Sequence, residues 1–394
     1  MSEEENNNSE NSKINELSPE EFWSYNYCEQ LEINEKNLIG KGKGKINEEI
    51  QQLYDELKSA VHPSFIKAKL LNEDEELIDT IREISFINVR IDKYTITILF
   101  NLLQKMKIIS LILNSNYLTI KNLEMIFNSL LTVPNHIYHL SFEFNSRLCL
   151  DNGKEIKINE LDTLKEEDNK IFNLIISIFE PEMSRLESIS FRGNFIGNEM
   201  GQKIFNYMKE NTNVKVLNLY KNNLSNDILH NLSDMFLFNR KLKELNLGGN
   251  FFDDKTIEHL KGFIGKYELN QEEYEKIQKL IEEKNNIIEN NKKISKSSKN
   301  KTAPKEVPFV DEIKEEIISE ENIKYYVIKN DTIEKLDFMN NPKMTQKSFD
   351  DLLYLIDHTT NLILYLDLRK YNKDSVLKMI DINGPYCNRI YLYK

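Results

Sequence analysis

Six segments of this chain share one pattern, in which hydrophobic residues spaced by three and then two positions are followed three positions later by asparagine. In the clearest copies Leu217 and Leu219 precede Asn222, and Leu245 and Leu247 precede Asn250. A unit of this kind cannot bury its apolar face alone and must stack on its neighbours. The pattern therefore predicts an array of small units. The six asparagines are Asn116, Asn145, Asn194, Asn222, Asn250 and Asn341.

Each unit of the pattern predicts one strand and one helix. The last two hydrophobic positions alternate, so a short β-strand would point both of them inward. The asparagine would sit at the bend after the strand, where its amide can both donate to and accept from backbone groups, and stacked copies would form a buried ladder. The spacing then becomes helical, as in Ile228, Leu232 and Met235, with Ser225 placed to cap the helix. An apolar residue two positions after the asparagine returns to the core in four copies: Leu118, Ile196, Leu224 and Phe252.

The spacings between successive ladder asparagines are 29, 49, 28, 28 and 91 residues. A base period of about 28 residues leaves room for a helix in each unit, and the two long gaps indicate insertions. Three weaker copies extend the array, which brings the predicted number of strands to nine. Their inward pairs are Ile84 and Phe86, Leu366 and Leu368, and Ile390 and Leu392.

The units resemble the leucine-rich repeat of the ribonuclease-inhibitor type, most closely in the copies that begin at Leu186, Val214 and Leu242. The resemblance implies an α/β solenoid, a horseshoe with a parallel concave sheet and convex helices. It also implies a non-catalytic scaffold that binds a protein partner through the concave face or its rims. Two alternatives stay open. One is a GTPase activator similar to the activator of Ran, with Arg90 as the candidate arginine, and the other is a cytoskeletal or ciliary subunit.

The predicted domain organisation has three parts. Residues 1–16 form an acidic tail that is expected to be disordered. Residues 17–77 form a helical N-terminal cap, and residues 78–394 form the repeat domain. Insertions interrupt the repeats near 150–170 and 266–330.

Motifs within these segments favour structural roles. Gly40–Lys45 alternates glycine and lysine but lacks the register of a Walker loop, so it is interpreted as a linker. The acidic start of the first insertion lacks the glycine of a calcium loop, which favours a hairpin or turn. The second insertion predicts a charged helix over Glu272–Ile288. The lysine-rich stretch from Lys292 to Lys305 predicts a solvated linker, with a regulated docking segment or a nuclear-import signal as alternatives.

Composition limits the possible partners and compartments. The formal charge of −12 and the pI near 5.3 argue against nucleic-acid binding, which needs a basic surface. The three cysteines are far apart and do not form a disulfide framework. No apolar run reaches membrane length. We therefore expect a cytoplasmic protein without membrane insertion, with a nuclear or ciliary location left open.

No set of residues predicts catalysis. The histidines are scattered, and the one close pair, His136 and His139, has no cysteine at ligand spacing. Asp253 and Asp254 suit a helix start, and Gly248 and Gly249 fall within one repeat. We expect neither enzymatic activity nor a cofactor nor a metal.

Residues on the predicted concave face become richer in Tyr, Arg, Met and Asp toward the C-terminus. Tyr and Arg dominate the energetics of protein interfaces, so the later half of the face is the predicted docking site. The alternative is that these side chains only cover the sheet. The predicted partner-binding residues are Arg192, Tyr220, Asp337, Met339, Tyr365, Asp367, Arg369, Arg389, Tyr391 and Tyr393.

Overall fold

The computed structural model describes residues 83–105, 108–149, 155–157, 169–180, 185–296, 310–319, 322–367 and 389–393, together with Gln52 and Glu56, both of which are helical. Those two residues lie within the predicted helical N-terminal cap. The rest of the predicted cap, the acidic tail and Gly40–Lys45 lie outside the described residues.

A nine-stranded parallel sheet forms the centre of the fold, and its strand order follows the order of the chain. The nine predicted strands are thereby confirmed. Because all strands are parallel, their carboxyl ends lie along one edge of the sheet, which we call the carboxyl edge. The strands are β1 (Glu83–Ile87), β2 (Ser110–Asn114), β3 (His139–Ser141), β6 (Ser188–Ser190), β7 (Val216–Asn218), β8 (Glu244–Asn246), β12 (Lys335–Asp337), β13 (Ile363–Asp367) and β14 (Ile390–Tyr393).

Helices follow most of these strands, as the helical spacing predicted. Short caps start several of them: Thr119 accepts a hydrogen bond from the Asn122 N–H, and Ser225 accepts one from the Asp227 N–H at a 3₁₀ turn. No helix among the described residues is long and apolar enough to span a membrane. The helices are α1 (Lys93–Lys105), α2 (Ile120–Thr132), α3 (Asn169–Ser177), α4 (Asn198–Glu210), α5 (Leu229–Phe238), α6 (Asp254–Leu260), α7 (Gln271–Lys296) and α8 (Ser348–Asp357).

The core lies between the helices and one face of the sheet. Inward strand residues such as Leu111 and Leu113 are fully buried and share one cluster with helix residues such as Leu123. Phe142 places its ring 5.4 Å from Phe127 and joins neighbouring units. The apolar residues predicted to return to the core after the bend are confirmed as buried: Leu118, Ile196, Leu224 and Phe252.

The first insertion contains an antiparallel hairpin of β4 (Arg147–Cys149) and β5 (Glu155–Lys157). The hairpin preferred over a calcium loop is thereby confirmed.

The second insertion holds more structure than the sequence predicted. Its three strands are β9 (Lys266–Glu268), β10 (Ile313–Ser319) and β11 (Asn322–Ile328), and they form a separate antiparallel sheet. The predicted helix does not stop at Ile288, because α7 continues to Lys296. The first lysines of the expected linker are therefore helical, since lysine is a good helix former and its charge is favourable near a helix C-terminus.

The register of β13 corrects one prediction. The pattern placed Asp367 between the inward residues Leu366 and Leu368, but Asp337 of β12 pairs with Tyr365 and Tyr365 pairs with Tyr391. Tyr365 therefore occupies the position predicted for Asp367. A shift of two residues leaves the same side chains facing inward, so alternation alone could not detect it.

Candidate functional site

The sheet face opposite the helices carries one middle row of side chains, one from each strand. The strand register aligns them across all nine strands. We call this surface the open face. The row consists of Ser85, Ile112, Ser141, Ser190, Asn218, Asn246, Asp337, Tyr365 and Tyr391.

At the carboxyl edge, seven of the nine strands of the sheet, those up to β12, are followed by a left-handed residue. That conformation turns the chain out of the sheet and is unfavourable for residues other than glycine. It falls on the position directly before the ladder asparagine, or before Val89 in the first unit. The residues with positive φ at this position are Asn88, Ser115, Phe144, Gly193, Lys221, Gly249 and Asn340.

The six ladder asparagines lie directly after these bends and are at most 3% exposed. Asn222 shows their geometry. Its Nδ2 donates to the Phe191 carbonyl oxygen at 3.0 Å, and its Oδ1 accepts from the Ile196 N–H at 3.0 Å. In all six, Nδ2 donates to the carbonyl of the last inward residue of the preceding unit's motif. The side chains thus satisfy backbone groups exposed by the bend.

A second set of buried asparagines, which the sequence analysis missed, lies where helices lead back into strands. Asn239 donates from Nδ2 to the Met208 and Asn211 carbonyls, at 2.5 and 2.9 Å, and its Oδ1 accepts from the Leu242 N–H. Asn211 and Asn330 make the equivalent bonds. Each precedes a ladder asparagine by 11 residues, and this fixed offset was the available signal.

Two predicted partner-binding residues, Arg192 and Tyr220, belong to one stack at the carboxyl edge. The Arg192 guanidinium carbon lies 5.1 Å from the Phe144 ring centroid and 5.3 Å from that of Tyr220, distances typical of cation–π contacts. Tyr220 is only 7% exposed. Its ring lies against Gly248, and its hydroxyl accepts a hydrogen bond from the Asn340 side chain at 2.7 Å. Tyr220 therefore covers the sheet and offers little surface to a partner.

The other predicted partner-binding residues differ from one another in burial and in the contacts that they make. Met339 is 4% exposed and Asp337 is fully buried, whereas Tyr365 and Tyr391 are half-buried and stack with ring centroids 5.3 Å apart. Arg389 donates to the Leu362 and Thr359 carbonyls and so holds a turn together. The register places Asp367 opposite Tyr393 at the ends of β13 and β14. Arg369 lies outside the described residues.

Asp337 combines burial with an unsatisfied charge. Its Oδ1 accepts from the Met339 N–H at 2.7 Å, but its buried Oδ2 has no hydrogen-bond partner among the described residues. Burial raises the pKa of Asp337 to about 7, against the opposing effect of the Met339 N–H and the Asn246 side chain. An unsatisfied buried carboxylate is costly and calls for an explanation.

The carboxyl edge also exposes aromatic side chains that were not among the predicted residues. Tyr117, Phe195 and Phe251 each follow a ladder asparagine and are 65%, 38% and 43% exposed. Phe144 directly precedes one and is 43% exposed. We call these four the edge aromatics. An aromatic residue next to the asparagine in four of six copies was visible in the sequence.

No group of three His, Cys, Asp or Glu side chains in the described parts of the chain is arranged to hold a metal ion. His139 is buried, its Nδ1 lies 2.9 Å from the Ser188 hydroxyl, and burial lowers its pKa to about 4. A buried neutral histidine with a hydroxyl partner suits a structural role. On the open face, Lys335 and Glu244 form an ion pair at 2.7 Å.

A comparison of the sequence with protein-family models finds no match, and a comparison with curated proteins finds no significant match. Function is therefore inferred from the geometry of the sheet and its edge.

Proposed function

We propose that this chain is a leucine-rich-repeat solenoid that acts as a non-catalytic scaffold and binds a protein partner along the carboxyl edge and the adjoining open face. Three features support the architecture: parallel strands in chain order, a bend of constant conformation after each strand up to β12, and asparagine side chains that join one unit to the next. Such arrays offer long surfaces suited to binding proteins.

The edge aromatics carry the functional part of the proposal. Tyr117, Phe144 and Phe195 all have positive φ, with values of 47°, 54° and 57°. For a bulky residue this conformation costs about 1–2 kcal/mol, and such strain is concentrated at functional sites. Large apolar side chains that are exposed along one edge, three of the four in a strained conformation, indicate an interface.

The size of the aromatic row shows that the partner must reach beyond it. A fully buried aromatic side chain covers about 150–250 Å². The four are about half exposed, so together they offer roughly 400 Å², about half of one side of a standard interface. The rest would come from exposed side chains beside the bends, such as Ile87, and from the less buried ends of the open face, because six of the nine middle-row residues are buried.

Replacing Phe195 and Phe251 together by serine tests this proposal, with Phe238→Ser as a matched control. Phe238 is 48% exposed but lies at the end of α5, away from the carboxyl edge. We expect affinity purification of the tagged chain from its native cells to recover a partner with wild type and Phe238→Ser. The double variant should bind at least about tenfold more weakly, as expected for the loss of interface anchors. Equal recovery by the double variant would exclude the carboxyl edge as the interface.

The GTPase-activator alternative depends on Arg90. Arg90 is exposed in the segment after β1 and lies near Asp92, whose pKa is lowered mainly by hydrogen bonds from Thr95 and to a small extent by the charge of Arg90. An exposed arginine after the first strand is equally suited to binding alone, so the scaffold is the function proposed.

A further inference from the structure

Three neighbouring residues of the middle row make the same hydrogen bond to the backbone. Asn218, Asn246 and Asp337 each accept, through Oδ1, a hydrogen bond from the backbone N–H two residues later, at 3.0, 2.9 and 2.7 Å. This contact fixes the chain at the end of each strand. An asparagine at position 337 could make it equally well, because the acceptor is the same kind of oxygen.

The carboxylate of Asp337 therefore adds something that this contact does not need. It replaces an amide NH₂ by a second, anionic oxygen that is buried and has no hydrogen-bond partner among the described residues. Removing a carboxylate from water without a partner costs several kcal/mol. The charge is not needed for the Met339 contact, and the Asn246 side chain offsets the effect of burial on the pKa of Asp337 only in part, so this carboxylate is suited to contact a ligand.

The surroundings of Asp337 favour a cation. Across the sheet, Asn246 of β8 and Tyr365 of β13 are its directly paired neighbours. Glu244 and Lys335, two residues before Asn246 and Asp337 in the paired strands, form an ion pair at 2.7 Å, and no charged side chain among the described residues contributes to the pKa shift of Asp337. Burial, and to a smaller extent nearby carboxylates, raises the pKa of the Tyr365 phenol, which keeps that ring neutral. A lone carboxylate beside neutral aromatic rings is the chemistry that binds organic cations.

We infer that Asp337, Tyr365 and Tyr391 form a pocket on the open face that receives the guanidinium group of an arginine from the protein partner, an inference that rests on the proposed binding function. The stacked rings of Tyr365 and Tyr391 continue the row beyond Asp337 and are half-buried, so part of each faces solvent. A guanidinium is planar and weakly hydrated, and it can stack on a tyrosine while donating to a carboxylate. Rotation of the Tyr365 ring is the movement that would open Oδ2 to it.

Calorimetric titration of the full chain with three probes tests the inference. The probes are a capped glycine pentapeptide with a central arginine, the same peptide with neutral citrulline, and free arginine methyl ester. We expect the arginine peptide to bind wild type and the citrulline peptide not to bind. Asp337→Asn should weaken the arginine peptide at least about tenfold without lowering the melting temperature, since the Met339 contact is kept. Tyr365→Leu, which keeps the carboxylate, should weaken it about threefold or more.

Glu143→Gln is the matched control, because it removes another carboxylate from the same face, where Glu143 is bonded to Ser190. It should bind the arginine peptide within about twofold of wild type. Equal binding to wild type and Asp337→Asn, or no binding to wild type at about 10 mM peptide, would overturn the inference. If the free ester binds and the arginine peptide does not, the pocket is assigned to a small cation. That result would overturn the partner's arginine as its occupant.

The serine double variant at Phe195 and Phe251 separates this inference from the proposed function. That variant should lose the native partner and still bind the arginine peptide, because the edge aromatics lie outside the pocket. The converse result is also informative. If the partner is lost by the serine double variant but captured normally by Asp337→Asn, the proposed function stands and the pocket is refuted.

Discussion

The hydroxyl of Tyr220 accepts a hydrogen bond from the side chain of Asn340, a residue 120 positions later in the chain, at 2.7 Å. The bond crosses β8 and joins the segments that follow β7 and β12. The two residues come together because the second insertion lies between β8 and β12 in sequence but leaves those strands adjacent in the sheet. Tyr220 thus helps to fasten the units on either side of the insertion.

The position of the Tyr220 ring depends on glycine at 248. A Cβ added there would lie 2.8 Å from the Met339 carbonyl oxygen and 2.8 Å from the ring. We expect Gly248→Ala to destabilise the protein by about 1–3 kcal/mol, since the backbone oxygen cannot move freely and the ring must leave Asn340. Urea unfolding measures the change. Gly262→Ala is the control, because its nearest neighbour would be at an ordinary 3.6 Å, and it should change stability by less than about 0.5 kcal/mol.

The ladder makes a second prediction about stability. Asn222→Leu removes donors to the Phe191 and Leu219 carbonyls and an acceptor for the Ile196 N–H, all of them buried. Leaving these groups unsatisfied should cost about 3 kcal/mol. Asn285→Leu on the exposed surface of α7 should cost almost nothing. If the two variants unfold at the same urea concentration, Asn222 does not join neighbouring units.

Much of the sheet could be predicted because the pattern states which side chains face inward. Strand number, the buried residues after the bends and the helix after Asn222 all follow from alternation and helical spacing. The register of β13 did not follow, because Tyr365 and Asp367 have the same parity and only the pairing with Asp337 distinguishes them. Alternation along a strand determines which face of the sheet a side chain lies on. Only the pairing with the next strand determines which residue lies in the middle row.

The candidate site was less accessible to prediction than the fold. Residue type suggested Tyr220 as an anchor, but its burial depends on Gly248 of the next unit, which patterns within a single unit do not consider. The second asparagine set was missed because Asn211 and Asn239 lie outside the strand motif that defined the units. The small sheet of β9, β10 and β11 was missed because highly charged strands such as β10 do not show clear alternation.

Asp337 gives a prediction about pH. Its folded pKa of about 7 is above the unfolded value of 3.8, so the folded protein holds the extra proton between these values. Its contribution to stability is therefore present at low pH and is lost as pH rises through 7, by up to about 4 kcal/mol. We expect Asp337→Asn to be more stable than wild type at pH 8, and the difference to shrink by pH 5.

Urea unfolding of both proteins at the two pH values measures this effect. Other titratable groups face the same site and are present in both proteins, so the difference in stability between the two isolates Asp337. These groups are Glu244 of β8, Lys335 of β12, Tyr365 of β13 and Tyr391 of β14. A constant difference across this pH range would show that Asp337 does not titrate there.

The second insertion should be removable without loss of the sheet, because its two ends are already held together. The Gly265 N–H donates to the Asn330 carbonyl and the Lys329 N–H donates to the Gly265 carbonyl, both at 2.8 Å. Beyond them Tyr267 and Val327 are directly opposite in an antiparallel pair. Such a pair can be closed by a two-residue Asn-Gly turn, so we would join Tyr267 to Val327 in this way and omit the residues between them. We expect this variant to keep the circular dichroism of parallel strands and helices and to melt within about 5 °C of wild type, because Val327 and the core of β8 and β12 are retained. A variant that is insoluble, or that unfolds in two separate transitions, would show that the insertion is an integral part of the core.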